Sequence, residues 1–181
     1  TIAASGATAQ ISRRRGGLRY EEIDRVDVIC NPVVVSDNAE TDPQTLLAAR
    51  LSMAYNVALV MERGDVLVRD LEEADLRNEN VRRLMPLVRM TGDANMPRFG
   101  CTVRVNFKSG EMEEEAMPFW KGDASHSLPW DEVVRKFDSL VGGLVPDEGK
   151  RKIAGIVGNL EQLDGKTLAD ALSEGLRSGS R

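Results

Sequence analysis

Between Asp42-Pro43 and Gly64 the chain reads QTLLAARLSMAYNVALVMER, a stretch with almost no polar stripe at helical spacing. Leu46, Leu47, Leu51, Met53, Ala54, Tyr55, Val57, Ala58, Leu59, Val60 and Met61 would cover nearly every face of a helix. A helix that is apolar all round has to be enclosed by other elements. Asp42 offers an N-cap acceptor, Pro43 suits the first helical position and Gly64 supplies a stop, so the spacing predicts one helix to about Arg63. That helix is the expected spine of the core. Its apolar run, interrupted by Arg50, falls short of the ~20 residues needed to span a bilayer.

Around this spine, the length of 181 residues predicts a single domain over 1–181, with a tail at 173–181 that frays. A net charge of -5 and eight aromatic residues argue against nucleic acid as a partner. Cys30 and Cys101 lie far apart in apolar runs with no CxxC or Cys/His spacing. They read as reduced, buried thiols of a cytoplasmic protein, with no metal site. There is no signal-peptide pattern and no membrane span. The chain begins at Thr1, without methionine, inside helix-like sequence, which suggests a portion that precedes it.

The first segment, TIAASGATAQISRRR, ends a helix at Gly16-Gly17, with three arginines placed to complement the helix dipole. EEIDRVDVIC alternates as a half-buried strand that Asn31-Pro32 ends, and VVVSDNAETD reads as an extended piece followed by a loop. NENVRRLM is a short helix before the strand LVRMTG. CTVRVNFKSGEMEEEAM is a β-hairpin turning at Ser109-Gly110. That register sets Lys108 opposite Glu111, Arg104 opposite Glu115 and Phe107 opposite Met112. It puts Glu114 on the face of Val103, Val105 and Phe107, where a glutamate marks a strand edge more readily than a functional carboxylate. Helical spacing returns in DEVVRKFDSLV and after Pro146, followed by a short terminal helix at GKTLADAL. Strands interleaved with helices and no phosphate-loop βαβ unit predict an α+β fold. Its architecture is a two-layer sandwich of a mostly antiparallel sheet with packed helices, including the strongly buried one.

Few residues offer chemistry. His126, the only histidine, lies in the polar loop KGDASHSLPW with no partner in sequence beyond Asp123, and reads as an exposed loop residue. Ser52 and Tyr55 are polar groups on the buried helix; Tyr55 is expected to be a core tyrosine whose hydroxyl finds one partner or borders a pocket. Arg13–Arg15 could clamp a carboxylate, although a solvated helix end suits them better. The glutamates of EMEEE alternate across a strand and do not converge on a metal. The glycines of VGGLV and GIVGNL lack a phosphate-binding context. No self-contained active site emerges.

Six segments in order, YEEIDRVDV, LLAARLSMAYNVALVMERGDV, NVRRLMPLVRM, CTVRVNFKSG, LPWDEVVRKF and IVGNLEQLDG, resemble the C-terminal domain of the MmgE/PrpD family from Thr1 to about Leu172. That family includes 2-methylcitrate dehydratases, cis-aconitate decarboxylases and iminodisuccinate epimerases. The resemblance implies a two-domain enzyme, with the active site between this α+β domain and a helical N-terminal domain that is absent from these residues. It further implies a homodimer, no cofactor or metal, and a small di- or tricarboxylic acid as substrate. The chain would then be part or a subunit of a lyase or isomerase, inactive alone, or a non-catalytic dimerisation or partner-stabilising module derived from one. Ser52 and Tyr55 in LSMAY match polar positions of the family and are the substrate-binding candidates; no catalytic residue is assigned. Where the family typically carries a histidine and an aspartate in the first helix, this chain has Ile2 and Gly6, and a tyrosine of some members falls near Val35.

Overall fold

Apolar residues at Val26, Val28 and Cys30 alternate with polar ones and form the strand β1 (Ile23–Cys30), with the apolar set inside. Ile23 also points inward although it stands three residues before Val26. A register shift between Ile23 and Arg25 accounts for this, because the bulge absorbs Asp24. The computed structural model describes residues 1–64, 71–119, 122–123 and 126–178. These divide into two units, Thr1–His126 and Ser127–Arg181.

In the first unit, β1 lies between β2 (Val88–Gly92), parallel to it, and β3 (Cys101–Phe107), antiparallel; β4 (Met112–Met117) completes the order β2-β1-β3-β4. The inner face, carrying Val26, Val28, Val103, Val105 and Phe107, is buried. It is covered by α1 (Ile2–Arg15) and α4 (Met53–Arg63), giving the expected α+β arrangement of a mostly antiparallel sheet with packed helices. The small residues of α1 permit this approach: Ala3, Ala4 and Ala7 are buried, and a Cβ on Gly6 would stand 3.0 Å from Met117 Sδ. Gly16 closes α1 in the left-handed conformation, φ 71°. On the outer face, Asp27 accepts from Arg25 Nε (2.8 Å) and Asn106 Nδ2 (2.9 Å), and Arg104 pairs with Glu114.

Three expectations are corrected. The spine is two helices, α3 (Leu46–Leu51) and α4, because Ser52 is extended (φ −73°, ψ 119°) and caps α4 with its own side chain. Asn56 staples the break, its Nδ2 donating to the carbonyls of Ala49 (2.8 Å) and Ser52 (2.6 Å). The first cap is Thr45 rather than Asp42, whose carboxylate pairs with Arg82. Second, VVVSD is a helix, α2 (Pro32–Asp37): Asn31 caps Val33 N–H and Pro32 takes the first helical position. Those two signals outweigh the β propensity of three valines.

Third, the hairpin register is displaced by one residue: Arg104 stands opposite Glu114 and Asn106 opposite Met112. Gly110 N–H donates to Phe107 O (2.9 Å) and Phe107 N–H to Glu111 O (2.9 Å), with Gly110 at φ 88°. This is a three-residue loop with a left-handed glycine, not a two-residue turn. Glu113 and Glu115, rather than Glu114, therefore share the face of Val103 and Val105, on the edge strand β4.

Between the strands, α5 (Glu79–Leu84) begins at the Asn78 cap and ends at Met85-Pro86 as its sequence predicts. The second unit holds α6 (Trp130–Val141), α7 (Asp147–Gly158) and α8 (Gly165–Ser178). Gly158 lets α7 approach α6, since a Cβ there would meet the Trp130 ring at 3.2 Å. The helical spacing after Pro146 sets Ile153, Ile156, Val157, Leu160 and Leu163 on one face; of these Ile153 is buried and Ile156 half-buried, while Val157, Leu160 and Leu163 stay exposed. Of the expected frayed tail, the backbone is helical through Ser178, and residues 179–181 lie outside the described residues.

Candidate functional site

Ser52 and Tyr55 sit one turn apart at the start of α4, and both are wholly buried. Ser52 Oγ donates to Glu40 O (2.6 Å) and accepts from Tyr55 N–H (3.1 Å). Its hydroxyl is thereby engaged as donor and acceptor, which makes it a helix cap and not an available nucleophile. The Tyr55 hydroxyl is buried with no hydrogen-bond partner among the described residues. Burial pushes its pKa up, the Asp75 carboxylate adds to the rise, and Arg63 and Arg82 oppose it. Near neutral pH it is a protonated donor.

Asp75 is the acid of this neighbourhood, and it is 8% exposed. Arg63, at the C-terminal end of α4, holds both its oxygens, and Glu72 N–H donates to Oδ2 (2.8 Å). Burial by itself would raise the Asp75 pKa. The Arg63 and Glu72 hydrogen bonds and the Arg63 charge outweigh it, so the carboxyl lies below its ordinary range. Nearby, Arg82 donates from Nε to Leu76 O (2.7 Å) and from Nη2 to Pro43 O (2.9 Å). The cluster Tyr55–Arg63–Asp75–Arg82 was not evident in the sequence: Arg63 and Asp75 lie twelve residues apart on either side of a glycine stop, without a shared period. Asp75, one of three acids in LEEADLR, is not set apart there by any pattern.

At the far end of α4, a surface depression of about 440 Å³ opens where α1 and α4 finish, lined by Arg13, Arg19, Arg63, Leu18 and Met61 among others. Arg13, Arg19 and Arg63 bring positive charge to it and Glu62 brings negative charge. Both helices, however, turn their negative C-terminal ends toward it.

Arg14 and Arg15 do clamp carboxylates, those of the chain itself. Arg14 pairs with Glu115, lies 3.6 Å from Glu113 and donates to Glu114 O (3.0 Å); Arg15 bonds Glu111 (3.1 Å) and stacks 4.5 Å over Phe107. The inward charges of the edge strand are neutralised in this way. His126 is exposed, pairs its backbone with Asp123 and stacks on Phe119 at 4.6 Å. Trp120, Lys121, Ala124 and Ser125 of its loop lie outside the described residues. Ile2 is 66% exposed at the start of α1, Gly6 faces Met117 one turn later, and Val35 is half-buried on α2. Among the described residues no group of three histidine, cysteine or acidic side chains could hold a metal ion. No helix among them is long and apolar enough to cross a membrane.

Against known protein families, residues 3–162 match the MmgE/PrpD C-terminal domain. No curated protein matches the chain.

Proposed function

The chain belongs to the MmgE/PrpD family through its C-terminal domain, and from that premise we propose that it forms one wall of a lyase or isomerase site for small di- or tricarboxylic acids. Dehydration, epimerisation and decarboxylation of such acids all develop negative charge beside a carboxylate. They need a positioned base and cationic or hydrogen-bonding groups around the acid. The match of residues 3–162 to the C-terminal domain is the observation that carries this reading. It is supported by the state of two polar groups inside the first unit: Ser52 is a cap and Asp75 is held by Arg63. The proton-moving groups then come from a helical segment outside Thr1–Arg181. Ser52 acts as a positioning residue that holds α4, and Tyr55 is the substrate-side candidate.

A second reading, a module that stabilises or dimerises without catalysis, is favoured by Ile2, Gly6 and Val35 at positions where relatives place proton-transfer groups. One experiment separates the two. The purified chain is mixed with the helical polypeptide encoded beside it, and hydration and decarboxylation of small tricarboxylates are assayed. Turnover that needs both chains establishes the first reading; a stable complex without turnover establishes the second. Turnover by Thr1–Arg181 alone would refute both. In an active mixture His126→Ala is expected to stay within a few-fold of wild type, because that side chain is stacked in a surface loop.

A further inference from the structure

Cys30 ends β1 and Cys101 begins β3, and the antiparallel register sets them directly opposite each other. Both side chains point to the inner face, at 0% and 2% exposure, and both are free thiols.

The hydrogen bonds around them fix the kind of pair they form. Cys30 O accepts from Asp93 N–H (2.8 Å), on the β2 side, so the Cys30 backbone faces away from β3. In β3, Phe107 N–H donates to Glu111 O on the hairpin side and Lys108 N–H donates to Glu22 O on the β1 side. Alternate residues of a strand turn the same way, so Cys101, an even number of residues before Phe107, faces β4. Neither backbone bonds the other across the pair. This is the narrow, non-hydrogen-bonded class of antiparallel pair, with Cα atoms about 4.5 Å apart, inside the range that a disulfide bridges. The two cysteines, 71 residues apart in sequence, are thus placed for cross-linking by the fold itself.

We propose that Cys30 and Cys101 form a reversible cross-strand disulfide, a redox-sensitive tie between the end of β1 and the start of β3. Peroxide is the oxidant. One thiol is converted to a sulfenic acid with release of water, and the second thiol attacks that sulfur, forming the S–S bond and releasing another water. Two thiols are oxidised and one peroxide is reduced. Excess dithiol reductant restores the pair by exchange. Burial pushes the Cys30 thiol up and the Cys101 thiol up to about 12. Thiolate is therefore scarce, and reaction proceeds through local opening of these strand ends. The tie is slow to close and responds to sustained oxidation, not to brief exposure.

The full chain is incubated overnight in hydrogen peroxide under native conditions, remaining thiols are blocked, and the digest is mapped by mass spectrometry. The expected result is a Cys30–Cys101 linked peptide from a monomeric, folded chain, lost on treatment with dithiothreitol and missing from C30A and from C101A. In graded mixtures of oxidised and reduced dithiothreitol the linked fraction should be larger for the folded chain than for the chain in strong denaturant, because only the folded sheet holds the sulfurs together. Two blocked, unlinked cysteines after native oxidation would overturn the proposal, as would sulfinic acids, linkage between two chains, or a cross-link that resists dithiothreitol no better in the folded chain than in denaturant.

Discussion

Ser52 uses its hydroxyl twice inside the fold, donating to Glu40 O and accepting from Tyr55 N–H. Ser52→Ala therefore removes a cap and strands a carbonyl, and should cost about 1–2 kcal/mol in urea unfolding. Three residues on, the opposite case holds. Tyr55 keeps its ring in the core but its hydroxyl has no partner among the described residues. Tyr55→Phe removes an unpaired polar atom and should leave stability within about 0.5 kcal/mol of wild type, or raise it. A loss of reconstituted activity by Tyr55→Phe with stability intact would mark the hydroxyl as a substrate contact. Asp75 adds a pH dependence. Its folded pKa lies below the unfolded one, so its stabilisation is complete above pH about 4 and disappears as pH falls through the lower folded value. Asp75→Asn should cost about 1–2 kcal/mol at neutral pH, and the gap between the two proteins should close as unfolding is measured toward pH 2.

At the scale of elements, regular periods were legible and local hydrogen bonding was not. The strand at Ile23–Cys30, the hairpin, the α1 stop at Gly16 and the helix before Pro86 follow from alternation, glycine and proline. The break at Ser52 leaves no mark in the hydrophobic pattern because its immediate neighbours, Leu51 and Met53, are both apolar. It depends on a serine and an asparagine four residues apart, whose side chains satisfy backbone groups at the kink. Likewise Asn31-Pro32 ends a strand and starts α2 with the same two residues, and only the second role is invisible to hydrophobic patterning. The hairpin register turned on one dihedral, Gly110 at φ 88°. A residue with a Cβ is strained there, so Gly110→Ala should cost about 1 kcal/mol. Equilibrium unfolding of that variant reads the loop directly, since a two-residue turn at Ser109-Gly110 would also burden the first glutamates of β4 with a changed pairing. Of the candidate site, Ser52 and Tyr55 were visible as polar residues in an apolar run. Arg63 and Asp75 meet only through the tertiary fold.

For the whole molecule, the two units differ in how much apolar surface they enclose. In the first, β1, β3 and α4 share one buried cluster that includes Val26, Val28, Val57, Val103 and Tyr55. In the second, the buried apolar residues among those described are Val145, Ile153 and Ala171, and α6 buries none of its side chains. Trp130, Leu144, Leu160 and Leu163 remain exposed there. Opening free energy follows enclosed apolar area, so stability is unevenly distributed along the chain. Native-state hydrogen exchange should find amides of β1, β3 and α4 protected at least ~100-fold more than those of α6 and α7. Binding of a helical partner that forms the other wall of the site should raise protection where the surfaces meet. If that rise falls on α3 and the start of α4, the partner faces Ser52 and Tyr55. If it falls only on Ser127–Arg181, the association is one that the non-catalytic module predicts, and the substrate-side assignment of Tyr55 fails.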